Sequence, residues 1–193
     1  MSDMHPLIAA AARGTLPDWA VARKKRRAHI ARVAELLRGW GEARGDDPRD
    51  VERWSAAGYL HDVLRDADPG ELRRGLSMPL DGLPDEVIHG SAAADRLRRE
   101  GVTDEPLLTA IAFHTLGSSD FDDIGKALYV ADFLEPGRRL QPKWRAKLCD
   151  QMPERLDWVA QSVVGKRVQF LIKRKRAAPL ETLGFWNTLA KGR

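Results

Sequence analysis

Four of the five histidines in this 193-residue chain fall, together with two aspartates, inside short apolar segments. His29 stands in RRAHIARV, the pair His61-Asp62 in AAGYLHDVLRD, and His89 in VIHGSAAADRL. His114 closes LLTAIAFHTLG, and Asp132 interrupts KALYVADFLEP. Burying an isolated imidazole or carboxylate in such surroundings is costly. One shared metal site would account for several of those costs at once. The ligands are spread over about 100 residues, so only the packing of separate segments can bring them together.

Composition is compatible with that demand. The chain is 43% apolar, enough for a sizeable core, and one domain covering residues 1–193 is the simplest count, with 1–17 at its periphery. No apolar run reaches the roughly 18 residues of a membrane span. The first residues have a short apolar stretch with no basic residue before it, a poor signal peptide. Cys149 is alone, which excludes an internal disulfide and fits a reducing cytoplasm. The formal charge of +4 invites a nucleic-acid reading, but 28 acidic residues are interspersed with the basic ones, as on a solvated mixed surface.

The periodicity is helical almost throughout, and period-2 strands are absent, so the expected fold is all-α. Helices are expected over 18–39, stopped at Gly39 or Gly41, and from an Asp50 cap to the His-Asp pair. Residues 65–84, with Pro69, Pro79 and Pro84, leave room for one short helix at Glu71 to Gly75. Further helices are expected over 85–100, from a Thr103 cap to His114, over 124–134, over 143–176 with a break near Pro153, and over 182–190. No repeat or linker argues for a second domain.

Imidazole and carboxylate together suit iron, manganese, cobalt, nickel or zinc. Neighbouring residues on a helix point about 100° apart, so His61 and Asp62 do not form one chelate. The pair works better if Asp62 lies between two metals and His61 serves one of them. A lone histidine or a lone HD dipeptide carries little information; the ordered set carries the weight.

The order H…HD…H…H…D resembles the signature of the HD superfamily of metal-dependent phosphohydrolases. The five segments quoted above, and the run AFHTLG followed by IGKALYVADFLEPGR, resemble the YqeK-type symmetrical bis(5'-nucleosyl)-tetraphosphatases, over about residues 18–190. The resemblance implies an HD-domain helical bundle with a dinuclear site, most often iron. One metal would be held by His29, His61, Asp62 and Asp132, the second by Asp62, His89 and His114. Two such metals activate water and clamp phosphoryl oxygens. The implied reaction cuts diadenosine tetraphosphate in the middle to two ADP.

A tetraphosphate calls for cations along its path. Arg65, one turn after His61, is the first candidate and, with Asp62, the expected catalytic pair. Arg138 and Arg27 are further phosphate contacts, and Thr115 and Gly117 shape the loop beside the second metal. The LGSSDFDD segment replaces a family loop that carries arginine, and its Asp120, Asp122 and Asp123 would repel a polyphosphate if they faced inward. The RGLSMPLDGLPDE stretch is shorter than its family counterpart, which would reshape a nucleoside pocket. The basic tract Lys166 to Arg176 reads as the solvated face of an amphipathic helix, so a nucleic-acid role is disfavoured. The expected partner is the dinucleoside polyphosphate, with no membrane, and a homodimer is left open. The alternatives are an HD phosphohydrolase acting on a mononucleotide, a dNTP or an alarmone, a non-catalytic nucleotide sensor, or an RNA-associated protein.

Overall fold

The aspartates and prolines that punctuate the sequence set the starts of the helices. In the computed structural model, which describes residues 4–77, 84–138 and 140–191, the described residues form α-helices and no strand. In chain order they are α1 (Pro6–Ala12), α2 (Lys24–Arg44), α3 (Pro48–Leu60), α4 (Pro69–Gly75) and α5 (Ile88–Arg99). These are followed by α6 (Glu105–Phe113), α7 (Asp123–Leu134), α8 (Pro142–Cys149), α9 (Leu156–Lys173) and α10 (Leu180–Lys191). Asp47, Asp68, Asp104 and Asp122 cap α3, α4, α6 and α7 by accepting from backbone N–H groups of the first turn.

Several boundaries differ from the sequence expectation, each for a local reason. Asp47, not Asp50, caps α3; Pro48 follows it in the first turn, and Asp50 turns to Arg53 at 2.8 Å. Asp104, not Thr103, caps α6 while also receiving Arg53 at 2.7 and 2.9 Å. Helix α2 runs through Gly39 and Gly41 and ends only at Gly45, in the left-handed region at φ 73°. A Cβ on Gly41 would lie 3.2 Å from Val51 Cγ2, so α3 exploits that glycine for close approach. Residues 18–23, expected to open this helix, are not helical. Val21 instead donates to Val63 O at 2.7 Å and Arg23 N donates to Asp66 Oδ2, tying this segment to the turn after Asp62. The expectation of a peripheral 1–17 segment fails at α1, whose Ile8, Ala11 and Ala12 are buried against α3. Of the shortened 74–86 stretch, residues 78–83, and with them Pro79, lie outside the described residues.

A continuous buried cluster extends from Ile8 in α1 to Phe185 in α10. Within it the helices that carry the histidines meet at glycines. A Cβ on Gly58 of α3 would fall 2.5 Å from Ala34 Cα and 2.7 Å from Ala34 N in α2. A Cβ on Gly90 of α5 would fall 2.7 Å from the carbonyl oxygen of Ile111 in α6. Both contacts are with backbone, which cannot swing aside. Helix α7 packs against α2, α3 and α6, and α9 closes over it.

Gly58→Ala therefore tests the α2–α3 contact. Overpacking of this kind costs about 1–3 kcal/mol. The melting temperature should fall by about 3–10 °C, measured by calorimetry. An unchanged melt would mean that the two helices are not held in contact here.

Candidate metal centre and its cavity

The glycine contacts place two pairs of histidines facing each other. His29 projects from α2 and His61 from the end of α3; His89 projects from α5 and His114 from the end of α6. All four are buried, as is Asp62, which sits between the pairs in the turn after α3. Its two oxygens are divided. Oδ2 lies 3.5 Å from His29 Nε2 and 3.6 Å from His61 Nε2. Oδ1 lies 2.9 Å from His89 Nε2 and 3.5 Å from His114 Nε2. Asp132, projecting from α7, brings Oδ1 to 3.0 Å from His29 Nε2 and 4.0 Å from His61 Nε2. The structure thus gathers all six of the ligand candidates.

The hydrogen bonding of the rings fits a cation. His61 Nδ1 lies 2.7 Å from Gly58 O, and His114 Nδ1 lies 2.8 Å from Ile111 O. A carbonyl only accepts, so the proton is on Nδ1 and Nε2 presents a lone pair to the centre. His29 Nδ1 is held in the same way by Glu135 Oε1 at 3.2 Å. Yet the Nε2 atoms of His29 and His61 approach to 3.3 Å, and those of His89 and His114 to 3.2 Å. Lone pairs at such distances repel; a cation shared between them turns the repulsion into ligation. His29, His61 and Asp132 form one group of converging donors, and Asp62 with His61 and His114 another.

Electrostatics favour the ligating forms of His61, His89 and the two aspartates, and act the other way at His114. Burial drives His61 down to about 4, against the pull of the Asp62 charge, and burial also lowers His89. At His114 burial is outweighed by the Asp62 carboxylate, which raises it. Burial alone would raise the Asp62 carboxyl, but the His61, His114 and His89 rings around it hold it well below its usual range. Asp132 is lowered despite burial by its contact with the His29 ring and by Arg138.

The centre lies at the base of a cavity of about 360 Å³. Arg65, Arg138 and Thr115 line it, as do Arg26, Tyr129, Arg145 and Arg167. Helix α3 ends before Arg65, whose N–H donates to Asp62 O in a turn, yet the side chain still faces the cavity. Arg138 donates to Asp132 Oδ1 at 2.5 Å, and the Thr115 hydroxyl lies 3.0 Å from His114 Nε2.

Two residues expected near the substrate do not line the cavity. Arg27 turns to the surface and donates to Ala22 O at 2.9 Å. Arg26 takes the inward position and pairs with Asp62, as the i,i+3 relation to His29 would have indicated. Gly117, at φ 84°, packs against α10: a Cβ there would fall 2.5 Å from Phe185 Cδ1. The aspartates of the following loop do not line the cavity. Asp122 caps α7, Asp123 pairs with Arg44 and Lys126, and Asp120 is exposed. Besides Arg26 and Tyr129, three further residues escaped the sequence reading. Glu135, buried beside Asp132, orients His29 and accepts from Arg32 Nε at 2.5 Å and Gly137 N at 2.8 Å. Its position in FLEPG was a usable signal. Arg145 and Arg167 gave none, because only the folding of α8 and α9 over α7 brings them to the cavity. Most of the tract after Arg167 is exposed, as expected of a solvated face.

An all-helical bundle that converges buried imidazoles and carboxylates from five segments defines a class of helical metalloproteins. Residues 26–137 match the HD domain, and the chain belongs to that family. Its His and Asp groups can hold divalent metal ions, as the domain implies.

Three curated relatives carry the description "Bis(5'-nucleosyl)-tetraphosphatase, symmetrical". The Staphylococcus aureus protein is 33% identical over 123 residues, 61% of this chain and 62% of the relative. The Halalkalibacterium halodurans protein is 28% identical over 146 residues, 72% and 77% of the two chains. The Bacillus subtilis protein is 34% identical over 96 residues, 46% and 51%. The chain thus spans between about half and three quarters of these relatives. A crystal structure from Clostridium acetobutylicum, described as a predicted HD superfamily hydrolase involved in NAD metabolism, shares the fold. Its TM-score is 0.78 at 22% identity, with 96% of each chain covered.

Glu135→Ala tests the support of His29. Removing the partner that orients a metal-binding histidine costs about 10- to 100-fold in metal affinity. Titration with manganese should show that loss. Unchanged manganese affinity would make Glu135 a partner of Arg32 only.

Proposed function

We propose that this chain hydrolyses dinucleoside tetraphosphates symmetrically, diadenosine tetraphosphate to two ADP, at a dinuclear centre. His29, His61, Asp62 and Asp132 would hold one metal; Asp62, His89 and His114 would hold the other. The carrying observation is the division of the Asp62 oxygens between two histidine pairs at the base of an arginine-lined cavity. When bound, such metals supply an activated water and Lewis-acid stabilisation of the phosphoryl oxygens. The chain supplies the rest. Nδ1 hydrogen bonds fix the imidazoles, and the depressed pKa values of Asp62 and Asp132 keep both carboxylates ionised. Arg65 stands over the cavity to take a phosphoryl oxygen. The descriptions of the three relatives support this substrate. The placement of Asp120, Asp122 and Asp123 away from the cavity removes the expected repulsion. Iron is the metal we favour, with manganese, cobalt, nickel and zinc as alternatives for the same donor set.

The same reading takes residues 1–193 as one HD domain working in the cytoplasm, without nucleic acid, and leaves a homodimer open. Among the described residues no helix is long and apolar enough to cross a membrane.

Chromatography of the products of diadenosine tetraphosphate should show ADP alone. Equal ATP and AMP would sink symmetric cleavage, and turnover of a mononucleotide instead would favour another HD phosphohydrolase. Elemental analysis after anaerobic purification should find up to two metals per chain. Asp62→Ala should lose both more readily than His29→Ala, because the two Asp62 oxygens are divided between the histidine pairs.

Arg65→Ala should lower kcat/KM by about 10- to 150-fold with metal retained, the worth of one charge-assisted hydrogen bond. Arg65→Lys should recover part of it. Unchanged kinetics at full metal content would return Arg65 to a surface charge.

A further inference from the structure

Arg145 is a buried cation that the bonding inside the protein leaves incomplete. It projects from α8 into the cavity wall and is 7% exposed. Its Nε donates to Leu140 O at 2.6 Å, and its guanidinium lies 4.1 Å from the centre of the Phe133 ring. Nη1 is buried and has no hydrogen-bond partner. Two other arginines of the same cavity are differently placed: Arg26 sits on Asp62 and Arg138 on Asp132. Arg145 makes no ion pair among the described residues; burial and Arg138 disfavour its charge, and Asp132 and Glu135 attract it only from beyond ion-pair distance.

A guanidinium stays protonated in a protein, so this charge has to be borne. A buried cation without a counter-ion is unfavourable, and an anion entering the cavity relieves it. The chemistry selects the anion. A guanidinium fork matches a phosphoryl group better than a point charge does, and the Phe133 ring fixes the plane of the fork. A purely structural Arg145 would need only the Leu140 carbonyl and the ring; the Nη edge would have no task.

We propose that Arg145 is a phosphate subsite: its Nη edge receives a phosphoryl group of the substrate other than the one at the histidine–aspartate centre, with Arg167 of α9 as the second cation beside it. The proposal rests on the reading of the substrate as a polyphosphate. It makes Arg145 a specificity residue that favours chains of two or more phosphates over a single one. The group it holds does not react, so the contact contributes to binding more than to the chemical step.

The test is calorimetric binding of ADP and of inorganic phosphate to the metal-loaded, full-length protein. Arg145→Met should weaken ADP by about 10- to 100-fold and leave inorganic phosphate within about threefold. In steady state, KM for diadenosine tetraphosphate should rise by a similar factor while kcat changes little. Arg145→Lys keeps the charge and the stem, folds where Arg145→Met does not, and should weaken ADP by about 3- to 10-fold. The subsite is overturned if a folded variant binds ADP as the wild type does. It is also overturned if ADP and phosphate weaken equally, or if the wild type does not bind ADP. Arg145-dependent ADP binding without cleavage of diadenosine tetraphosphate would sink the hydrolase reading and leave the subsite standing.

Discussion

The Asp62 carboxylate, buried among four imidazoles, is the interaction on which the rest of this structure depends. An ionised carboxylate removed from water costs several kcal/mol even after relaxation. Whole domains are stable by only about 5–15 kcal/mol. A group this expensive persists only where its partners compensate it from every side, and the division of its two oxygens between two histidine pairs does so. The same division makes one residue the shared corner of two donor groups. A site with Asp62 on a single side would need a second carboxylate among His89 and His114.

Precision at that corner comes from backbone contact. Gly58 lies three residues before His61 and Gly90 one residue after His89, so each close helix crossing sits within a turn of a ligand. Side-chain packing leaves tenths of an ångström of play; backbone against backbone leaves less. The segment Val21–Arg23 adds a further restraint through its bonds to Val63 O and Asp66. Loop residues that would otherwise be free are thus tied directly after Asp62.

The six converging residues were legible in the sequence because each contradicts its own surroundings. An imidazole or carboxylate in an apolar run must find a partner for its buried polar atoms, and the resemblance of the ordered set to HD proteins completed the reading. Helix existence was equally legible, whereas helix ends were not. Gly39 and Gly41 read as stops, but the packing of Trp40 and Val51 outweighs the roughly 1 kcal/mol that a helical glycine costs. The cavity wall was the least legible part. Arginine is an ordinary surface residue, and 31% of this chain is charged, so no single arginine stands out. Arg27 and Arg26 are neighbours in sequence, yet the register of α2 alone sends one outward and the other onto Asp62.

Charge placement in the finished cavity argues for an anionic guest with more than one charged group. Each inward aspartate of the centre already has an arginine on it, Arg26 or Arg138, so the floor is close to balanced before anything binds. The acidic loop that could have opposed an anion is spent elsewhere, in capping α7 and in pairing with Arg44 and Lys126. What remains along the wall is Arg65, Arg145 and Arg167, cations contributed by three different segments of the chain. Arg145 is buried and Arg65 half-buried, so their repulsion is screened less than in water, whereas Arg167 stands at the exposed edge. A single phosphate reaching the floor would leave much of that repulsion in place. A chain of phosphates extending from the floor along the wall neutralises both, which is the geometry a polyphosphate offers and a monophosphate does not.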